Sequence, residues 1–234
     1  MNQLKLPVLF INFKVYEEAS GRNALALAKK AEQVSKKAKA GIVLVVQATD
    51  MRMLSEKTSL PLFAQHVDAI GYGRHSGWIS PASVKQAGAI GTILNHAEHK
   101  ISNEALEKTI ALAKKQGLLV MACAEDLERA RQIASFASKP DFIAIEPPEL
   151  ISREDVSVST ARPELISDSV EAIKRIAPEI IVITGAGIHS PSDVSKAVEL
   201  GTSGVFVANK IVKSQDQKKA IEELASGLKT NKRK

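Results

Sequence analysis

Eight short apolar runs, each followed by a polar stretch of helical periodicity, leave this chain little freedom in what it can fold into. The runs are Pro7 to Ile11, Ile42 to Val46, Leu60 to Gln65, Gly91 to Leu94, Leu118 to Cys123, Phe142 to Ile145, Ile180 to Ile183 and Gly204 to Val207. Most are Val/Ile/Leu-rich and lack alternation, as strands of a parallel sheet covered on both faces require. Between them, Ser20 is placed to cap a helix through Ala38 that carries Ala24, Leu27, Ala28, Ala31 and Val34 on one face, with Gly41 ending it. Further helices are expected over Asp50 to Lys57, from Ser80-Pro81, from Ser102 up to Gly117, over Glu125 to Ala137, from Pro163, from the capping box at Ser190-Pro191-Ser192-Asp193, and from about Ser214 to Leu228. Strict alternation without linkers predicts a parallel sheet, and eight units predict closure into a (β/α)8 barrel. An open doubly wound sheet shares the pattern and is the alternative. At 234 residues the chain suits one barrel domain, taken as residues 1–228, with a basic, frayed tail over 229–234.

Composition narrows the function classes. Hydrophobic residues at 44% and charged residues at 25% match an ordinary globular protein, and no apolar run approaches a membrane span. The N-terminus leads into the first strand without a signal-peptide core, which predicts a cytoplasmic protein with no membrane partner. Cys123 is the only cysteine, so neither an internal disulfide nor a thiolate cluster can form. The net charge of +6 permits nucleic-acid binding, but the excess sits on the lysine-rich first helix and the tail without interleaved aromatics. A solvated helix face is the better reading, and no nucleic-acid partner is expected.

Polar residues cluster where the apolar runs end: Asn12 and Lys14, His96 and Glu98, Glu146, and the turn Gly185-Ala186-Gly187-Ile188. In a barrel these strand ends share one face. Glu146 follows a fully apolar strand, where partial desolvation raises a carboxyl towards the pKa of a useful base, and Pro147-Pro148 fix the backbone beside it. His96 is suited to donate from a neutral imidazole, the more so if a short helix begins at Ala97, and Lys14 supplies a fixed cation that Glu98 can hold. Gly185, Gly187, Ala208 and Asn209 are small or polar residues at two strand ends where backbone N–H groups can meet a phosphate. The polar stretch from Pro148 to Pro163 has the length of a lid. Gln65 to Trp78 is a glycine-punctuated loop bearing Tyr72 and Trp78, which predicts an interface. The histidines show no ligand spacing, and no metal is expected.

These residues resemble the triose-phosphate isomerase family in its shorter archaeal form, the family that gives the TIM barrel its name. Asn12-Phe13-Lys14 is similar to its Asn-x-Lys, Leu94-Asn95-His96-Ala97-Glu98 to its Leu-Asn-His-Ser-Glu, and Cys123-Ala124-Glu125 falls where it has Cys-x-Gly-Glu. Glu146-Pro147-Pro148-Glu149-Leu150-Ile151 resembles the archaeal Glu-Pro-Pro-Glu-Leu-Ile, and Gly185-Ala186-Gly187-Ile188 the phosphate turn. The resemblance implies interconversion of dihydroxyacetone phosphate and D-glyceraldehyde 3-phosphate through an enediol(ate), in glycolysis and gluconeogenesis, with no cofactor. It implies Glu146 as the base, His96 as the neutral electrophile, Lys14 as the electrostatic anchor and Asn12 as an orienting group. Ile151, Gly185, Gly187, Ala208 and Asn209 would bind the phosphate, with Glu98 supporting. It also implies a homodimer or homotetramer in which the loop Gln65 to Trp78 enters a neighbouring subunit and brings Ser76 near that neighbour's site.

Three stretches depart from the family pattern. Ile151-Ser152-Arg153-Glu154-Asp155 stands where the lid tip reads Ile-Gly-Thr-Gly, Ala97 replaces a serine, and Ala208-Asn209-Lys210 replaces a smaller turn. Another phosphosugar enzyme, a basic nucleic-acid-binding protein and a non-catalytic barrel are the competing functions, since fold alone does not fix function.

Overall fold

A computed structural model describes residues 4–147 and 162–229. The apolar runs form β1 (Val8–Asn12), β2 (Gly41–Val46), β3 (Leu62–Ala64), β4 (Gly91–Leu94), β5 (Leu119–Ala124), β6 (Phe142–Ile145), β7 (Ile181–Thr184) and β8 (Gly204–Val207). All pair in parallel with their sequence neighbours, and β8 returns to β1 from Val8↔Gly204 to Ile11↔Val207. The sheet therefore closes, which an open doubly wound sheet with two free edges cannot do. Between and after the strands lie α1 (Arg22–Ala38), α2 (Ala48–Lys57), α3 (Pro81–Gln86), α4 (Asn103–Lys115), α5 (Leu127–Ala134), α6 (Pro163–Ile176), α7 (Pro191–Glu199), α8 (Asn209–Val212) and α9 (Gln217–Gly227).

The period of two within each strand divides the core into two layers. Val8, Phe10, Val43, Val45, Phe63, Ile93, Met121, Phe142, Ala144, Ile183 and Phe206 fill the barrel, whereas Leu9, Ile11, Leu44, Ile143 and Val205 face the helices. Inside, Phe10 meets Phe63, Phe142 and Phe206 edge to face with centroids 5.4, 5.7 and 6.5 Å apart, the arrangement aromatic quadrupoles favour. Gly91 makes room for this cluster, because a Cβ there would lie 2.5 Å from Phe63 Cζ. Outside, Ala24, Leu27, Ala28 and Ala31 of α1 complete the layer against the sheet.

Local signals predicted some boundaries and missed others. Ser80 and Ser102 accept from the N–H groups of Ser83 and Ala105, and Ser190 forms its capping box with Asp193. Ser20 does not cap α1. Gly21 holds that position with φ 56, a left-handed conformation that a serine resists, while the Ser20 hydroxyl donates to Tyr16 O after a 3-10 turn at Glu17–Ala19. Gly41 does not end α1 either. Lys39 takes the left-handed position at φ 52, and Gly41 opens β2 because a Cβ there would sit 2.0 Å from Lys5 O. The second helix begins at Ala48, ahead of Asp50, and α5 is shorter than Glu125 to Ala137 because Asp126 caps it, accepting from Arg129 N–H at 2.7 Å. Among the described residues, no helix is long and apolar enough to cross a membrane.

Candidate active site

Counting in twos from the inward residues identifies what emerges at the carboxyl rim of the barrel: Asn12 beyond Phe10, Gln65 beyond Phe63, Glu146 beyond Ala144, Gly185 beyond Ile183 and Ala208 beyond Phe206. A cavity of about 350 Å³ opens on this rim, lined by Asn12, Lys14, His96 and Glu146 on one side and by the turns after β7 and β8 on the other. Of the residues singled out in the sequence, Asn12, Lys14, His96, Glu146, Gly185, Gly187, Ala208 and Asn209 all line it. Ile151 and the expected lid fall within residues 148–161, outside the described part of the chain.

Backbone geometry aims each group. Lys14 adopts φ 47, a conformation costing a non-glycine residue about 1 kcal/mol or more. It is held there by Asn12, whose Oδ1 accepts the Lys14 N–H at 3.0 Å, and by Gln65, whose amide donates to Lys14 O at 2.9 Å. The Lys14 ammonium then meets Glu98 Oε1 at 2.6 Å. Asn95 turns the chain after β4 with φ 58, donating to Cys123 O at 2.9 Å and accepting from Ile101 N–H at 3.2 Å. That turn presents His96, whose Nδ1 accepts the Glu98 N–H at 3.1 Å. The ring proton therefore resides on Nε2, which lies 3.8 Å from Glu146 Oε1. Beside β6, a Cβ on Gly185 would fall 2.3 Å from Glu146 Cγ, so glycine is required there to seat the carboxylate as well as to open the turn.

Burial sets the electrostatics. Desolvation lifts the Glu146 carboxyl to about 7, opposed by the adjacent Cys123 thiol and the Lys14 ammonium. Desolvation likewise lowers His96 to about 4, with Glu98 pulling the other way and Lys14 adding to the depression. No helix begins at Ala97, only a turn, so burial and not a helix dipole keeps this imidazole neutral. The Cys123 thiol is pushed well up by burial and by Glu146, which leaves it a thiol and a poor nucleophile. Neutral imidazole and a carboxyl titrating near neutrality, both buried and 3.8 Å apart, can polarise a carbonyl and move a proton on the adjacent carbon.

Several site residues escaped the reading of the sequence. Gln65 was taken as the end of the third strand and the start of a loop, although counting in twos beyond Phe63 finds it; it holds Lys14 from outside the active-site cavity. His189, Lys210 and Lys213 line the far side of the cavity, on the turns after the paired strands β7 and β8, which closure of β8 onto β1 sets across from Asn12 and Lys14. The Asn209 side chain is engaged by Tyr16, whose hydroxyl donates to Oδ1 at 2.6 Å.

Comparison with known proteins agrees with this geometry. Residues 7–224 match the family model described as triosephosphate isomerase. The chain is 42% identical to the triosephosphate isomerase of Methanothermus fervidus over 222 residues, covering 95% of this chain and 99% of that protein. Against the triosephosphate isomerase of Methanobacterium bryantii identity is 39% over 97% of this chain and all of that protein, and against that of Archaeoglobus fulgidus it is 39% over 96% and 99%. With a closed barrel and a match that runs over nearly the whole chain, the chain belongs to the triosephosphate isomerase family, isomerases that interconvert the two triose phosphates in glycolysis.

Proposed function

We propose that Glu146 and His96 carry out that isomerisation between them. Ionised Glu146 removes a proton from C1 of dihydroxyacetone phosphate, and the electron pair moves through the new C1–C2 double bond onto the carbonyl oxygen. The Nε2–H of His96 donates to that developing oxyanion. The hydroxyl proton passes from O1 to O2, and the protonated Glu146 returns its proton to C2, leaving the aldehyde at C1. Lys14, fixed by Glu98, supplies the positive charge for the anionic substrate, and Asn12 orients both. Backbone N–H groups at Gly185, Gly187, Ala208 and Asn209 take the phosphate, with Ile151 of the lid joining them by resemblance. The observation that carries the reading is the His96 ring, fixed by the Glu98 N–H so that Nε2–H points at the Glu146 carboxylate.

Turnover of D-glyceraldehyde 3-phosphate by the wild type and by Glu146→Gln tests it. A loss of about 10³-fold or more is expected, the scale of a lost general base. An inert wild type that still binds inorganic phosphate would overturn the assignment.

The same reading takes residues 1–228 as one domain with a basic tail, in a cytoplasmic homodimer or homotetramer. A second cavity of about 360 Å³ lies behind Lys14, lined also by Val15, Gln47, His66 and His99. It lies on the same rim, and the reading places a side chain from the tip of the Gln65 to Trp78 loop of a second copy against it.

A further inference from the structure

Closure of the barrel brings the loop after β1 beside the turn after β8, and side chains tie the two together. The β1–β8 ladder ends at Ile11↔Val207, one residue short of Asn12 and Ala208 at the rim. Beyond it the β1 chain bends through Lys14 at φ 47, while the β8 chain turns at Ala208 into α8. Tyr16 spans the gap, its hydroxyl donating to Asn209 Oδ1 at 2.6 Å. The tyrosine is itself well held. Its carbonyl accepts the Ser20 hydroxyl at 2.8 Å and the Ala19 N–H at 3.0 Å, and Ser20 in turn accepts from the Gln47 amide at 2.9 Å. The ring packs against the core with the Lys213 ammonium over its face, 4.5 Å from the centroid. Lys213 pairs with Glu18 at 2.8 Å, a second tie across the same seam. Tyr16 is not among the described residues that line the active-site cavity, whereas Asn209 and Lys14 both are. A short stretch of chain and one hydrogen bond thus join the Lys14 side of the cavity to the Asn209 side.

We infer that Tyr16 is a positioning residue for the isomerisation: its hydroxyl, acting through Asn209, fixes the spacing between the Lys14 side of the cavity and the turn after β8, so that a triose phosphate reaching both meets preset partners. Tyr16 touches no substrate, and no bond is made or broken there. The inference rests on the proposed reading in which Lys14 and the β8 turn face opposite ends of the substrate. A ligand confined to one side does not sense the spacing. A ligand that spans both loses affinity when the spacing is no longer fixed, because its two sets of contacts cease to be preorganised.

Steady-state kinetics of Tyr16→Phe, which removes the hydroxyl alone and keeps the ring beneath Lys213, test the inference. With D-glyceraldehyde 3-phosphate, which spans both sides, KM should rise about fivefold, the scale of one neutral hydrogen bond, while kcat stays within about twofold because Glu146 and His96 are untouched. Inorganic phosphate as a competitive inhibitor and unphosphorylated D-glyceraldehyde as a substrate each engage one side. The inhibition constant of the first and kcat/KM of the second should stay within about twofold of the wild type. Asn209→Ala breaks the same bond from the other end, and Tyr16→Phe added to it should raise KM no further. If Tyr16→Phe does not fold, Asn209→Ala carries the same three measurements. An unchanged KM in a folded variant would overturn the inference. So would a rise in KM matched by an equal weakening of inorganic phosphate, which marks damage to the β8 turn alone, and so would additive losses in the double variant. Failure of inorganic phosphate to compete in the wild type is a different result, and would overturn the phosphate-end reading and the spacing role with it.

Discussion

Burial drives Glu146 up to about 7 and His96 down to about 4, and the two displacements act on folding with opposite sign. For Glu146 the folded carboxyl binds its proton more readily than the unfolded one. Its contribution to stability is thus complete below about 4.5 and lost as pH rises through about 7. For His96 the folded imidazole resists protonation, so its contribution is complete above 6.5 and lost as pH falls towards about 4. Between these limits the slopes nearly cancel in the wild type, and a single variant uncovers them. A carboxyl held at about 7 instead of 4.5 costs about 3 kcal/mol at pH 8. Glu146→Gln should therefore be more stable than the wild type by about that amount near pH 8 and no more stable near pH 4.5, read from urea midpoints at both values. An equal difference at the two pH values would show that the carboxyl is not perturbed. Turnover should follow the same group, with kcat/KM falling as pH drops below about 7 because the base must be ionised.

Elements are tied by groups that a strand-and-helix pattern does not display. Glu32 is buried on α1, where its carboxylate accepts from the Ser59 hydroxyl at 2.6 Å, the Ser59 N–H at 3.1 Å, Lys36 and Lys29, pinning the helix to the segment before β3. The Ser59 hydroxyl first, then the two lysines, hold it well below the usual carboxylate range. Its stabilisation is present above the ordinary value of 4.5 and lost as pH falls below it. Glu32→Gln should cost about 2 kcal/mol at pH 7, chiefly through Ser59 because both lysines are half or more exposed. The gap between thermal melts of wild type and variant should narrow as pH falls from 4.5 towards 3; a gap that keeps its full size there would place the effect in packing. The sequence shows why such ties hide. The strands were legible because apolar runs are local, and so were the caps at Ser80, Ser102 and Ser190. Ser20 and Gly41 were misread because the reasons, a positive φ at Gly21 and the approach of Lys5 to Gly41, belong to the folded chain. In the site, Asn12, Gln65 and Glu146 follow from counting in twos along strands, whereas His189 acquires meaning only once the folded turns after β7 and β8 are seen to line one cavity.

At the scale of the whole molecule, the rim carries more exposed apolar surface than one subunit can use. Val15, Tyr72 and Trp78 are 78%, 76% and 60% exposed, and all three lie near the carboxyl face: Val15 in the wall of the cavity behind Lys14, the two aromatics on the Gln65 to Trp78 loop. In the proposed oligomer, the aromatic residues of this loop on one copy would meet the cavity of the other and the reverse, as a two-fold interface requires. Asn12, Lys14 and His96 line both this cavity and the active-site cavity, so filling one buttresses the other. A second copy docked there would hold Lys14 in its strained conformation from behind. Sedimentation at micromolar protein should therefore give at least a dimer, and Tyr72→Glu with Trp78→Glu should shift the mass to that of the monomer. Because Lys14 is then less firmly held, KM should rise with the loss of mass, while Glu146, which lines the active-site cavity and not the one behind Lys14, keeps its place. A wild type that sediments as a monomer with full turnover would remove both the interface and the coupling.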